Sequence, residues 1–573
     1  MSTSVRHGWI GVVVAGLSLA GCASHAPVPP PSSGVSPAAT SSVSAASAAP
    51  PTTSIAVPSP TPTSILQAAP AVSVMRSEDG TPVRIDVFPI RSDGRYAMVQ
   101  IEFTVAGPMP PAGVLGIASL PLTSVLSAGA SDFPDDVRLV DLASQTVYQL
   151  VRSADGKGYA SAWLDRNGSA TYSGLFGTDR PERVLMTFPA PTSATVDVSI
   201  PCFGLVTGVP VETGADLAAE LALLADSGGI AYPDPSPVDP TGYAVPLRTY
   251  RTPYDDNTVV RQENQTVTIT LDSAVLFAMD RYEVSSPAAQ AALASAADQI
   301  KAAATGGVVH VIGHTDDQGS VEHGYVLSRQ RAEAVAAALG PLLGPAYTYT
   351  TEGKGYDAPL VPGTSDEARA ANRRVELQFT GNVATTVTET LPLPPTDAPT
   401  ASGVGAWVEF PSQVVEGDTY QLRVDKAVRT GQSVVVDYEF GFIATRGTIG
   451  FELEATYGAP ASRAGLSGWG YGTNDIALLT PDGRLFPYDF VRPDYDPAKA
   501  DDRIDSPTEP ASALADNIFG VATHTFAAGD PPLRLTAVYP DTGQATVTLD
   551  LGGRFRITDI PVTDDASQLN APW

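Results

Sequence analysis

Two long segments of the chain, one before and one after a central stretch, alternate apolar and polar residues over short runs. Residues 99–103 (Val-Gln-Ile-Glu-Phe) and 436–440 (Val-Asp-Tyr-Glu-Phe) are examples. A period of two places the apolar side chains on one face of a strand, and glycine and aspartate turns separate the runs. The pattern therefore predicts all-β domains over residues 76–215 and 406–573.

The two β segments form an internal repeat. Val-Arg-Ile-Asp at residues 83–86 corresponds to Leu-Arg-Val-Asp at 422–425, and both copies place a phenylalanine nine positions after a turn glycine. The arrangement resembles the immunoglobulin-like domains of secreted lipoproteins from Gram-positive bacteria. This resemblance implies two related β-sandwiches that act as spacers or as docking modules for other envelope proteins.

The central segment, residues 266–382, has a helical period in two places. Ser286 and Pro287 are typical of a helix start, and apolar residues follow them at helical spacing. A second helix is expected over residues 321–339, ended by Gly340 and Pro341. Together with the strands expected around these helices, the pattern predicts a β-α-β-α-β-β order; the strands are expected at residues 266–271, 308–312, 347–352 and 374–379. The fold class is thus a central α+β domain flanked by two all-β domains.

Arg331 interrupts the apolar face of the second predicted helix. A guanidinium at such a position either extends to water or meets a carboxylate, because burying an unpaired charge is costly. Asp316, in the loop before the helix, is the candidate partner. A cation and an anion side by side at a helix start also form a receptor for a zwitterion: Asp316 would bind an ammonium group and Arg331 a carboxylate.

The motifs around these two residues resemble a known family. They are Gly313-His314-Thr315-Asp316, Leu327-Ser328-Arg329-Gln330-Arg331, Gly353-Lys354-Gly355-Tyr356-Asp357 and Asn372-Arg373-Arg374-Val375-Glu376. In this order they resemble the OmpA-like C-terminal domain, a family that includes peptidoglycan-associated lipoproteins and the stator protein MotB. The resemblance covers about 115 of the 573 residues.

The resemblance implies non-covalent binding to the stem peptide of peptidoglycan. Asp316 and Arg331 would hold the zwitterionic side chain of diaminopimelate, and Thr315 would help through its backbone or its hydroxyl. Asp280, Asn372 and Arg374 would support the site. Three positions depart from the family pattern, and each removes or alters a polar contact, so that binding is expected to be weaker or tuned to another stem peptide; they are Ala278, Gln318 and Gly324.

The N-terminus predicts a lipid anchor. An apolar run over residues 9–20 has the length of a signal-peptide core, and Leu19-Ala20-Gly21-Cys22 resembles the bacterial lipobox. The resemblance implies a signal peptide at residues 1–21 and a lipid such as palmitate on Cys22; the alternative is an ordinary secretory signal. The mature chain would then be tethered to the extracytoplasmic face of a membrane, inner or outer. Residues 22–75 read as a disordered spacer rich in Pro, Ala, Ser and Thr.

Composition narrows the possible functions. There are 34 basic and 62 acidic side chains, a net charge of −28, which argues against nucleic acid as a partner. Two cysteines in the whole chain exclude a disulfide scaffold. Further connectors are expected at residues 216–265 and 383–405.

Neither a cofactor nor a metal site is expected. His310, His314 and His323 lack a fourth zinc ligand at a useful spacing. No catalytic motif is found in the flanking domains, so the sequence predicts a binding protein with no catalytic residues. Two alternatives remain open: an enzyme of wall metabolism and an adhesin, each of which would use the central domain only for targeting.

Overall fold

The computed structural model describes residues 68–77, 82–106, 137–152, 158–160, 182–201, 203–220, 238–254, 258–361, 363–385, 392–411, 417–444, 475–491, 511–515 and 531–573. All of them belong to the unit formed by residues 62–573. The predicted signal peptide, Cys22 and most of the spacer lie outside the described residues. Within these ranges, no helix is both long enough and apolar enough to cross a membrane.

The first region is built of β-strands. Its strands are β1 (Val72–Ser77), β2 (Pro82–Val87), β3 (Ile90–Ser92), β4 (Tyr96–Val105), β5 (Arg138–Asp141), β6 (Thr146–Tyr148), β7 (Glu182–Pro189), β8 (Thr195–Ile200), β9 (Gly204–Thr213) and β10 (Ala244–Pro246). They pair in the order β1-β2-β4-β3-β9-β8-β5-β6-β10, and β7 pairs with β4. The alternating apolar side chains of these strands form one buried cluster that includes Ile85, Phe103 and Val198.

The central region combines strands and helices. Its elements are β11 (Arg248–Thr252), β12 (Thr258–Glu263), β13 (Thr266–Asp272), α1 (Ser273–Leu276), α2 (Pro287–Ala303), β14 (Gly307–Gly313), α3 (Val321–Leu343), β15 (Tyr347–Gly353), α4 (Asp366–Asn372) and β16 (Arg374–Thr380). The sheet order is β12-β13-β16-β14-β15, with only β14 and β15 parallel. Side chains of α2 and α3, such as Leu293 and Val335, pack with those of the sheet in a single core.

The last region is again all β. Its strands are β17 (Thr400–Ser402), β18 (Val408–Pro411), β19 (Thr419–Thr430), β20 (Ser433–Ala444), β21 (Ala477–Thr480), β22 (Gly483–Leu485), β23 (Asp489–Val491), β24 (Ala511–Ala513), β25 (Leu533–Pro540), β26 (Thr546–Leu551) and β27 (Phe555–Thr563). A short 3-10 helix, Ala566–Asn570, follows. The chain is therefore a mixed, sheet-rich protein with a central α+β part.

The strand pairing agrees with the predicted repeat. β4 pairs with β7 as β20 pairs with β25, and the β8–β9 and β26–β27 hairpins correspond. Both hairpins carry a register shift at the same place, after Val196 and after Val547. An ion pair is repeated as well, since Arg183 pairs with Glu102 where Arg534 pairs with Glu439.

The predicted connectors are partly wrong, because they contain strands. In residues 216–265, β10 pairs with β6, β11 pairs with β22, and β12 joins β11 to β13. β6 and β22 are equivalent strands of the two repeats, so the connector covers equivalent sheet edges in both. An uncovered edge leaves backbone N–H and C=O groups unpaired, and this explains why the connector is extended and ordered here.

Two other predicted domain boundaries are displaced because paired strands extend across them. β1 begins at Val72, inside the predicted spacer, because it pairs with β2. β17 lies inside the predicted connector 383–405 and pairs in parallel with β27. The first and last regions also share an apolar cluster, which includes Val140, Leu205 and Val538. They are therefore packed together rather than separated by free linkers.

The helices start where the sequence predicts but one ends later. Ser286 and Ser320 cap α2 and α3 by accepting hydrogen bonds from the backbone N–H of Ala289 and His323. α3 continues through Pro341 to Leu343, beyond the predicted end at residue 339. Gly344 ends it with a φ of 80°, a conformation that glycine adopts without strain. The prediction also lacked α4.

Candidate functional site

Two glycines bring helix α3 against the ends of two parallel strands. Gly313 of β14 and Gly353 of β15 are register partners. A Cβ atom on Gly313 would lie 2.0 Å from the carbonyl oxygen of Ser328, and one on Gly353 would lie 2.5 Å from the backbone nitrogen of Arg329. This close approach places the side chains of α3 beside the loops that follow both strands.

Arg331 lies at this junction and is almost fully buried, with 5% of its surface exposed. Its Nε donates to the carbonyl oxygen of Arg281 at 2.9 Å, and its guanidinium lies over the ring of Phe277. Its terminal nitrogens bond to no residue that the structure describes, yet neither is fully buried. The side chain is thus held by one nitrogen while the forked end keeps access to solvent.

Two carboxylates act on Arg331 at longer range. Burial lowers the pKa of Arg331 below its usual value, and the negative charges of Asp280 and Asp316 act in the opposite direction. Among the described carboxylates, none forms an ion pair with this guanidinium. The sequence hypothesis of an Asp316 partner therefore needs correction: the direct partner of Arg331 is a backbone carbonyl.

Asp316 forms its ion pair with Arg373 instead, at 2.7 Å. Its other oxygen accepts a hydrogen bond from the backbone N–H of Gln318 at 3.2 Å. The neighbouring Asp317 accepts two hydrogen bonds from Arg369, and these bonds lower the pKa of that carboxyl. Arg373 was missed in the sequence as a site residue, although it lies in one of the quoted motifs. Both arginines flank the C-terminus of α4, the helix that was not predicted.

Asn372 and Arg374 hold backbone around the site. Asn372 is fully buried; its Oδ1 accepts from the backbone N–H of Leu360 and Val361, and its Nδ2 donates to the carbonyl of Val361. Arg374 is also buried, pairs with Glu376 at 2.7 Å and donates to the carbonyl of Ala358 at 3.1 Å. Neither side chain is directed to a ligand in this arrangement.

Thr315 makes its contact through the backbone and not through the hydroxyl. Its backbone N–H donates to the carbonyl of Gly355 at 2.9 Å, and its hydroxyl is sealed from solvent without a partner among the described residues. A Cβ atom on Gly324 would lie 3.0 Å from this hydroxyl. Gly324 is one of the departures from the family pattern. A polar side chain there would be close enough to pair with the hydroxyl, so the departure explains the unsatisfied group.

Asp280 lies at the rim, in a loop with a φ of 55°. Its carboxylate is 2.7 Å from Nε2 of His323 in the first turn of α3, and both side chains are exposed. This contact joins two walls of the site. The other departures, Ala278 and Gln318, are exposed.

The three histidines have different neighbours. His310 contacts the hydroxyl of Thr350, and His323 contacts Asp280. His314 is buried, which lowers its pKa to about 4, and neither ring nitrogen has a hydrogen-bond partner among the described residues. Within the part of the chain that the structure describes, no group of three or more His, Cys, Asp or Glu side chains is placed to hold a metal ion.

Comparison with known proteins defines the class of this domain. The model described as the OmpA family matches residues 276–373, which contain the whole junction of β14, α3, β15 and α4. These residues are an OmpA-family domain.

Individual proteins match shorter parts of the chain. The probable lipoprotein YiaD of Escherichia coli (strain K12) is 41% identical over 69 residues, which cover 12% of this chain and 32% of that protein. Among solved structures, the cell wall anchor of the T6SS from Pseudomonas aeruginosa is 29% identical and covers 22% of this chain and 90% of that chain, with a TM-score of 0.20. The peptidoglycan-associated lipoprotein from Burkholderia pseudomallei is 31% identical over 18% of this chain and 88% of that chain, with a TM-score of 0.16.

Proposed function

We propose that this protein is a lipid-anchored envelope protein that binds peptidoglycan non-covalently through its OmpA-family domain. Two features support the proposal: the family match over residues 276–373, and a name that marks one relative as a probable lipoprotein. The ligand is the peptide stem of the wall, and the group that is recognised is the zwitterionic end of a diaminopimelate side chain. Cys22 carries the lipid, and the protein links membrane and wall from the extracytoplasmic side.

One observation carries the assignment of the binding residues. Arg331 is fixed through Nε while both terminal nitrogens remain available, which is the arrangement that a bidentate carboxylate contact requires. Asp316 is within electrostatic reach but is not its ion-pair partner, so the two charges do not neutralise each other. A ligand that carries both charges can therefore bind its carboxylate at Arg331 and its ammonium at Asp316.

The remaining residues support this pair. Arg373 holds the Asp316 carboxylate in place, and Asn372 and Arg374 fix the loop and floor beneath it. Asp280 adds a second negative charge near Arg331 and contacts His323 at the rim. Thr315 acts through its backbone, because its hydroxyl is sealed.

The two repeated β regions serve as a spacer and as docking modules for envelope partners. We infer that each is a sandwich of the immunoglobulin-like type. The shared apolar cluster supports one stiff body formed by both repeats rather than two domains on flexible linkers.

The protein is a binding protein and not an enzyme. Zymography on purified wall tests this, since clearing of the wall material would favour the enzyme alternative.

Co-sedimentation with insoluble peptidoglycan tests the binding site. The full-length protein is compared with Asp316→Ala and Arg331→Ala, and with Arg331→Lys, which keeps the charge but loses the fork. Arg329→Ala is the matched control, because Arg329 lies on the same helix with a side chain that is 68% exposed. Wild type and control should sediment with the wall, and the site variants should remain soluble. Equal sedimentation of all the proteins would reject the site.

A further inference from the structure

The exposed aromatic side chains among the described residues all lie in one domain. Ten large hydrophobic side chains are exposed in the described part of the chain, and the aromatic ones are Tyr282, Tyr325 and Tyr356, with exposed fractions of 40%, 38% and 37%. All three belong to the OmpA-family domain. A group of exposed aromatic side chains indicates a contact surface, because apolar surface is more stable when a ligand or partner covers it than when water does.

Two of the tyrosines follow residues that contact the zwitterion site. Tyr282 follows Arg281, whose carbonyl accepts the hydrogen bond from Arg331. Tyr356 follows Gly355, whose carbonyl accepts the backbone hydrogen bond of Thr315. Tyr282 and Tyr356 therefore stand on two loops that border the site, and Tyr325 stands on the first turns of α3.

The ring of Tyr325 is held in position from two sides. Its hydroxyl donates to Asp357, and this bond raises the pKa of the phenol. Its Cδ1 lies 3.5 Å from the place that a Cβ atom on Gly355 would occupy. A ring that is fixed at its edge and packed against backbone loses little conformational freedom when a ligand stacks on its remaining surface.

We propose that Tyr282, Tyr325 and Tyr356 form a stacking surface for the amino-sugar rings of the peptidoglycan glycan strand. The inference rests on the proposed function, because the stem peptide that reaches Asp316 and Arg331 is covalently attached to the glycan. Three peptide residues span at most about 10 Å, so a bound side chain at the third residue keeps the sugar near the mouth of the site. The apolar face of a sugar ring suits a tyrosine face, and its hydroxyl groups suit the phenol edge.

Two soluble probes separate this inference from the proposed function. One is a disaccharide-tripeptide muropeptide that contains diaminopimelate, and the other is the same tripeptide without sugar. Calorimetric titration of the full-length protein should give an affinity for the muropeptide about tenfold higher than for the tripeptide. Tyr282→Ala and Tyr356→Ala should remove this difference and leave the tripeptide affinity unchanged. Tyr282→Phe and Tyr356→Phe should keep it, because the ring remains.

The possible failures have different meanings. Equal affinities of the wild type for both probes, or loss of the sugar effect in the phenylalanine variants, would overturn the stacking surface and leave the zwitterion site intact. Absence of binding by both probes would overturn the proposed function together with this inference. Val308→Ala is the control, since Val308 is exposed on β14 at the end opposite Gly313. If the alanine variants keep the sugar effect, the tyrosines contact a partner protein instead, and the inference is wrong.

Discussion

Replacing His314 by leucine should change the pH dependence of folding in a defined direction. The imidazole is 3% exposed, its ring nitrogens lack hydrogen-bond partners among the described residues, and Arg374 lies close enough to disfavour a positive charge. Burial is the largest cause that lowers the pKa of His314 from 6.5 to about 4. Between these values the unfolded chain binds a proton that the folded chain does not bind. The wild type therefore loses stability as the pH falls from 6.5 to 4.

The size of the stability change follows from the pKa shift of His314. Each pKa unit corresponds to about 1.4 kcal/mol, and integration between pH 7.5 and pH 4.5 gives a loss of about 2–3 kcal/mol from this one group. His314→Leu lacks the titration and fills a similar volume with an apolar side chain. Because the imidazole nitrogens make no hydrogen bonds to described residues, the variant should be at least as stable as the wild type at pH 7.5.

The assay is thermal or denaturant unfolding of both full-length proteins at several pH values and constant ionic strength. Groups remote from the substitution titrate alike in the two proteins. Glu376, whose carboxylate lies 3.9 Å from Nε2 of His314, is the neighbour whose pKa the imidazole lowers, so the difference reports on His314 together with this contact. The variant should gain about 2–3 kcal/mol relative to the wild type from pH 7.5 to pH 4.5. A difference that stays constant over this range would refute the burial of a neutral imidazole beneath the site.

Three further substitutions test the packing around the site and between the β regions. Gly313→Ala should lower the free energy of unfolding by more than about 3 kcal/mol, because its Cβ would overlap the carbonyl of Ser328. The melting temperature should fall accordingly. Thr315→Val should raise the stability by about 1 kcal/mol and leave co-sedimentation with peptidoglycan unchanged, since the hydroxyl is sealed and unsatisfied. Arg76→Met should lower the denaturant midpoint, because buried Arg76 donates to carbonyls of Phe203 in the first region and of Leu569 in the last.

Matched controls make these outcomes specific. Gly340→Ala, in the same helix as Ser328 and with open space around it, should stabilise the protein slightly. Arg329→Met removes an arginine whose side chain is 68% exposed and whose partner Glu333 is exposed as well, and it should have little effect. Equal melting temperatures of the two glycine variants would contradict the close approach of α3 to β14. Loss of sedimentation in Thr315→Val would mean that the hydroxyl reaches the ligand.

The parts of the fold that depend on local signals were predictable. The serine caps and the helical period of α2 and α3 involve residues within a few positions of each other, and Arg331 was visible because it interrupts an apolar face. The pairing of Asp316 with Arg373 joins residues 57 positions apart and depends on α4, a short helix without a clear apolar period. The strands of the connector were missed for a similar reason. Three residues such as Ala244–Pro246 become a strand only because a distant sheet edge accepts them.

Titration of the full-length protein with two C-terminally amidated stem tripeptides, one with diaminopimelate and one with lysine at the third position, tests the central claim most directly. Lysine has the same backbone groups and side-chain ammonium but lacks the side-chain carboxylate that Arg331 is proposed to bind. The account predicts that the diaminopimelate peptide binds at least about tenfold more tightly than the lysine peptide, as expected for one charge-assisted bidentate contact, and that Arg331→Lys reduces this preference. Equal affinities for the two peptides, in the wild type and in Arg331→Lys alike, would contradict the recognition of a zwitterion at this site.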